Sequence, residues 1–166
     1  MSGIMGLGTQ VYARMFIGFM VFAGALSFTG AGQYLIRLGL AVVGKFPGGA
    51  AKVDILSNAL VGSLSGMATI NVLITGPVTI PAMKKAGYSS EYAAGINAAS
   101  ATGAVLTPPV MSAVAFLVAD FLNMSYVGVA IAAAIPAFFY YYALMAQSHF
   151  HAIRYGLKGM PASETP

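Results

Sequence analysis

The stretch GGAAKVDILSNALVGSLSGMATINVLITGPVTIPAMKKAGY, residues 48–88, decides the fold. Between Asp54 and Lys84 it holds no Asp, Glu, Lys or Arg, and the run exceeds the roughly 20 residues with which a helix crosses a bilayer. A single crossing would put Lys45 and Lys52 on one side and Lys84 and Lys85 on the other, against the excess of Lys and Arg that cytoplasmic loops carry. A chain that enters, turns near Ser65 to Asn71 and leaves again puts both clusters in the cytoplasm. Length agrees: about 31 residues at 1.5 Å each make one overlong helix or two half-depth arms. Residues 47–88 are therefore expected to form a re-entrant helical hairpin, its second arm broken again at Thr75, Gly76 and Pro77.

Working outward, Ser89 or Ser90 can cap the next helix, with Glu91 in the first turn where the helix dipole favours an anion. Thr102 and Gly103, then Pro108 and Pro109, interrupt that helix, because an interior proline removes a hydrogen bond and clashes with the preceding turn. Residues 89–122 thus read as a discontinuous transmembrane helix, 123–150 as a further transmembrane helix with Pro136 as a kink point, and 151–166 as a cytoplasmic tail holding Arg154 and Lys158. On the other side, residues 1–46 read as an N-terminal transmembrane helix, Val11 to Thr29, plus an amphipathic arm helix. The arm rests on the four-residue spacing of Gln33, Arg37 and Lys45, with Ala41 between; a simple span with a snorkelling Arg37 fits that spacing equally. Met1 to Gln10 lacks the basic start and cleavage site of a secretory signal. The expected fold class is all-α: a polytopic membrane protein with a re-entrant hairpin and a discontinuous helix.

Composition sets the bounds. The 166 residues are 58% hydrophobic and 7% charged, far from the roughly one-quarter charged of a soluble domain. Two more charge-free runs, Tyr92 to Ala119 and Phe121 to Ile153, are too many for one soluble core. There is no cysteine, so thiolate and disulfide chemistry are absent. The formal charge of +4 comes from scattered Lys and Arg, without the basic run that nucleic-acid binding uses. His149 and His151 lack further metal ligands, and no Ser-His or Asp-Asp pair sits at a common depth, so the chain does not read as an enzyme. Asp120 reads as an interfacial helix end and Tyr140 to Tyr142 as anchors of the last helix.

Broken helices in lipid carry the functional argument. A peptide group without a partner costs several kcal/mol in hydrocarbon, so non-helical backbone survives there only inside protein or around a polar cavity. Secondary transporters use such segments to bind substrate and coupling ions: half-helix N-termini face anions and freed carbonyls hold Na⁺. The tip (Ser65, Gly66, Thr69, Asn71) and the second break (Thr102, Gly103, Thr107, Pro108) both supply hydroxyls and carbonyls without formal charge, as a hard cation prefers. Each polar residue alone is explained by ordinary interhelical hydrogen bonding. Two neighbouring breaks point to a site. The alternative is a non-transporting membrane scaffold or assembly subunit, in which the breaks are packing features.

The same residues resemble a family. The stretch 48–88, with ATGAVLTPPVM at 101–111, is similar to the large (M-type) permease subunit of TRAP transporters, particularly the TAXI-type fused permeases. Matching positions are Ser65, Gly66, Ala68, Asn71, Gly76, Ile80, Pro81, Met83, Gly87 and Tyr88, then Thr102, Gly103, Pro108, Pro109, Val110 and Met111. Met67 and Ala101 stand where serines are usual, Ala104 where a glycine is, and Asn97 where the TAXI-type pattern resembles a glutamate. The resemblance implies an elevator-type symporter of the bacterial or archaeal inner membrane that takes up organic acids (carboxylates) with Na⁺. It also implies a small (Q-type) permease subunit or domain and a periplasmic solute-binding protein as partners. Ser65, Gly66, Asn71, Thr102 and Gly103 would hold Na⁺, and Thr69, Thr107, Pro108 and Asn97 would border the substrate. Family members carry a second, inverted half, so the chain is expected to be a fragment or one half of a split permease.

Overall fold

A computed structural model describes residues 29–157, together with 17, 18, 21, 24 and 25. The helix expected over 11–29 falls almost wholly outside the described residues, as does the tail from 158 onward. Within them the chain is helical, without strands: α1 (Ala31–Val43), α2 (Gly49–Ser65), α3 (Ala68–Lys85), α4 (Ser90–Thr102), a 3-10 turn at Gly103–Val105, α5 (Ala113–Phe121) and α6 (Tyr126–Arg154).

The helix α2 is the centre of the bundle and packs on α1, α3, α4, the 3-10 turn and α6. Only Gly66 and Met67 separate it from α3, so the two form a tight helical hairpin. Gly66 closes α2 in the left-handed region, φ 62°, and its N–H donates to the Gly62 carbonyl at 2.9 Å. The arms hold 17 and 18 residues, so each is about 26 Å long, nearly the ~30 Å of a hydrocarbon core rather than half of it. The further break expected within the second arm is absent: α3 runs unbroken through Gly76, Pro77 and Pro81. A proline there deletes one hydrogen bond but not the helix: Pro77 and Pro81 lie on the exposed face of α3, while the face with Asn71, Thr75 and Thr79 packs on α2 and α4.

The second break is present. α4 begins under the Ser89 hydroxyl, which accepts the Tyr92 N–H at 3.2 Å, and ends at Thr102; regular helix resumes only at Ala113. The intervening segment, with Met111 at φ 44°, lies against the hairpin tip. Val110 N–H donates to the Ser63 carbonyl at 3.2 Å, and a Cβ on Gly66 would stand 1.8 Å from the Met111 carbonyl oxygen. The two irregular segments therefore fit together, and the fit requires a residue without a side chain.

α6 is the one described helix long and apolar enough to cross a membrane by itself, with Val127, Ile131, Ile135, Phe138 and Phe139 exposed along it. It continues to Arg154, so residues 151–154, assigned from sequence to the tail, belong to the helix; the first residue in the left-handed region after it is Gly156, φ 62°. Its last turns reach the base of the hairpin. The ammonium of Lys52 lies 3.0 Å from His149 Nδ1, and the His151 ring stacks on Tyr92 at 3.7 Å. Because α2 and α3 are antiparallel, Lys52 in the first turn of α2 and Lys84 and Lys85 in the last turn of α3 lie at the same end of the hairpin.

Gly66→Ala is expected to lower the stability of the detergent-purified chain by at least ~2 kcal/mol, since it adds left-handed strain to a backbone collision, whereas Gly95→Ala in open space within α4 changes it by about 1 kcal/mol or less. Thermal melting of the two variants side by side checks this.

Candidate functional site

Two polar centres lie inside the α2–α3–α4 unit. The first is the hairpin tip. The Ser65 hydroxyl donates to Asn71 Oδ1 at 2.7 Å, and the buried Asn71 Nδ2 donates to the Asn58 carbonyl at 3.1 Å. Gly66 sits beside them against Met111. Of the tip residues, Thr69 is exposed and stands apart from this set.

The second centre was not read from the sequence. Asp54, Asn58, Thr75, Asn97 and Ser100 are fully buried or within 1% of it, and Thr79 is 2% exposed. Asp54 organises them. Its Oδ1 accepts from Asn97 Nδ2 at 2.7 Å and from the Thr79 hydroxyl; its Oδ2 accepts from the Ser100 hydroxyl at 2.7 Å. Asn58 Nδ2 donates to Ser100 Oγ at 2.9 Å, and Asn58 Oδ1 accepts from the Thr75 hydroxyl at 3.1 Å. Buried polar groups must find partners, and here each helix supplies some: Asp54 and Asn58 from α2, Thr75 and Thr79 from α3, Asn97 and Ser100 from α4. Asn97 reaches in because Gly76 has no side chain: a Cβ there would lie 3.2 Å from Asn97 Oδ1. Gly76, which reads as a helix breaker, instead makes room for an amide. The spacing of Asn71, Thr75 and Thr79 at four-residue intervals on α3 is the signal that could have found this face.

The centres are continuous, because Asn58 serves both, through its carbonyl to Asn71 and through its side chain to Thr75 and Ser100. Asn97, expected at the substrate, lies in the Asp54 centre instead of at the tip. The remaining expected residues lie elsewhere. Thr102 is exposed and its hydroxyl returns to the Ala98 carbonyl at 2.8 Å. Gly103 packs against Tyr140 and Tyr141 of α6, and Thr107 donates to the Gly103 carbonyl at 2.7 Å with Tyr141 Oη at 3.3 Å. Thr107 and Pro108 line a cavity of about 550 Å³ along α6, whose other walls are Ala134, Ala137, Phe138, Tyr141, Tyr142 and Met145. The Tyr126 hydroxyl lies 2.6 Å from the Pro109 carbonyl and 2.8 Å from that of Val110, so these two carbonyls of the break share one donor.

Comparison with known proteins places this architecture. The family model described as the tripartite ATP-independent periplasmic transporter, DctM component, matches residues 1–166. The chain is 36% identical over 106 residues to the uncharacterised protein YgiK of Salmonella typhimurium, covering 63% of this chain and 24% of that protein. It is 34% identical over 99 residues to the C4-dicarboxylate TRAP transporter large permease protein DctM of Vibrio cholerae, covering 59% and 22%. It is 32% identical over 148 residues to the isethionate TRAP transporter permease protein DctMQ of Oleidesulfovibrio alaskensis, covering 87% and 23%. These matches span about a quarter of the length of the curated relatives.

Asn97→Ala removes a buried donor from both Asp54 and Thr75 and is expected to cost about 1–3 kcal/mol, because a buried carboxyl loses one of its three donors. Thr102→Val, which loses one bond within its own helix at an exposed site, stays within about 0.5 kcal/mol. Denaturation of both variants in one detergent gives the comparison.

Proposed function

The chain belongs to the DctM component family of tripartite ATP-independent periplasmic transporters, and on that premise we propose that it forms part of the permease of a sodium-coupled symporter for organic acids, working as a multi-pass protein of the inner membrane. The observation that carries this reading is the junction of tip and break. α3 starts at Ala68, next to the tip, and α5 starts at Ala113, next to the break, and the tip and break touch at Gly66–Met111 and Ser63–Val110. Two helix N-termini thus open at one place, where their partial positive charges favour an anion. The tip adds Ser65 and Asn71 oxygens to that place, a donor set suited to a hard cation of low charge. An anion and a cation taken up at one junction is the arrangement a symporter needs.

The family premise supports the rest. The matched relatives are named for C4-dicarboxylate and isethionate, both small organic anions. In this reading the hairpin is re-entrant, its base with Lys52, Lys84 and Lys85 faces the cytoplasm, and its tip with the α4–α5 break carries substrate in an elevator movement. A periplasmic solute-binding protein delivers the acid. A small permease subunit or domain and a second, inverted permease half complete the carrier, and the apolar face of α6 meets lipid or one of these.

Sodium is the test. Melting of the purified chain in sodium chloride against potassium chloride of equal ionic strength is expected to show stabilisation by sodium alone, approaching ~2.7 kcal/mol at a hundredfold excess over Kd. Ser65→Ala should shift that dependence to at least ~tenfold higher sodium, the loss of about 1.4 kcal/mol from one ligand. Identical melting in both salts would leave the tip as a packing feature and favour a scaffold.

A further inference from the structure

We propose that Asp54 is a proton-binding site, separate from the sodium candidate at the hairpin tip, and that its carboxyl group exchanges between ionised and neutral forms without leaving its place between α2, α3 and α4. The proposal goes beyond the sodium reading and does not depend on it.

Two features of the site carry it. Asp54 is fully buried, and every side chain that donates to its carboxyl oxygens is neutral: Thr79 from α3, Asn97 and Ser100 from α4. Lys52, two residues earlier on α2, directs its ammonium to His149 of α6. The groups that approach from α2 and α3, Asn58 and Thr75, are also uncharged at any ordinary pH. Arg37 of α1 is exposed, and among the described residues no titratable or charged side chain hydrogen-bonds to the cluster, so the carboxyl itself is the group that can change charge there.

Second, the cluster accommodates both forms. As a carboxylate, Asp54 accepts three hydrogen bonds. When it gains a proton it must donate one, and a neighbouring hydroxyl must turn to accept it. Both hydroxyls have somewhere else to send their own proton. The Thr79 hydroxyl lies 3.0 Å from the Thr75 carbonyl, and the Ser100 hydroxyl lies 3.1 Å from the Asn97 carbonyl. Rotation of one hydroxyl therefore balances the exchange: one O–H bond forms on Asp54, one hydrogen bond reverses, and no buried group loses its partner.

The chain contains two aspartates, Asp54 and Asp120, so one labelled protein isolates the group. The full-length Asp120→Asn variant, labelled with carbon-13 at the aspartate side-chain carboxyl and held in lipid nanodiscs in sodium-free buffer, carries the label at Asp54 alone. Its carbon-13 resonance and carboxyl stretching bands, followed from about pH 4 to pH 9, are expected to convert between protonated and ionised signatures in one titration. In the Asp54→Asn protein with Asp120 restored, that component disappears from the labelled signal; if this variant does not fold, Asp54→Glu labelled at glutamate keeps a buried titration. A label that stays in one form across the whole range overturns the proposal, whatever sodium does to the melting temperature.

Discussion

A carboxyl group enclosed on all sides by three helices constrains everything around it. Moving an ion from water into a low-dielectric interior costs several kcal/mol even after relaxation, and an isolated charge has nowhere to recover that cost. Asp54 recovers part of it through bonds from Thr79, Asn97 and Ser100, which belong to two other helices. Separating α2 from either neighbour would take donors away from the carboxyl: Thr79 with α3, Asn97 and Ser100 with α4. The hairpin and α4 are thereby tied into one body by polar contacts, in an environment where apolar contacts discriminate poorly because lipid is as apolar as leucine.

Close approach makes those contacts possible. A hydroxyl or amide spans an interhelical gap only when the backbones come near, and small residues stand wherever they do. A Cβ on Gly39 would lie 2.9 Å from Ser57 Oγ, and one on Gly62 would lie 2.7 Å from the Ala104 side chain. The alanine at 104, a departure from the glycine of the family pattern, therefore sits directly against Gly62 of α2. A larger residue at either position would force the 3-10 turn away from the hairpin and open the contact between tip and break.

The sequence showed the breaks better than it showed the polar core. Charge-free runs, Pro-Pro and the Ser-Gly pair are local signals, and they located the hairpin tip and the interruption after Thr102; the cap, read as Ser89 or Ser90, is Ser89, and each is governed by a few neighbouring residues. Gly76-Pro77 misled because local chemistry says helix breaker, while packing of the opposite face on α2 and α4 keeps α3 intact. The arms exceed half depth because the helices extend past the charge-free run, to Gly49 at one end and Lys85 at the other. Asp54 was passed over because its meaning lies in residues more than forty positions away, Asn97 and Ser100, and only folding brings these together. Among the expected site residues, Ser65, Gly66 and Asn71 share the tip, since six-residue spacing across a tight turn is again local. Thr102 turned away from them because its position on α4 faces outward, which the motif alone does not reveal.

Asn58 gives the two polar centres a mechanical relation. Its carbonyl holds Asn71 at the tip while its amide side chain bridges Thr75 and Ser100 around Asp54. It has little freedom, being fully buried with both side-chain functions in use. A change in the hydrogen bonding of Ser100, such as reversal toward Asp54, alters what Asn58 Nδ2 meets and so reaches the residue that positions Asn71. Coupling of this kind needs no long pathway: one side chain and its own backbone carbonyl connect the centres. Energetic coupling between hydrogen-bonded neighbours in one network commonly amounts to 0.5–3 kcal/mol. That range is enough for a change in the bonding around a buried acid to alter how Asn71 is held at the hairpin tip.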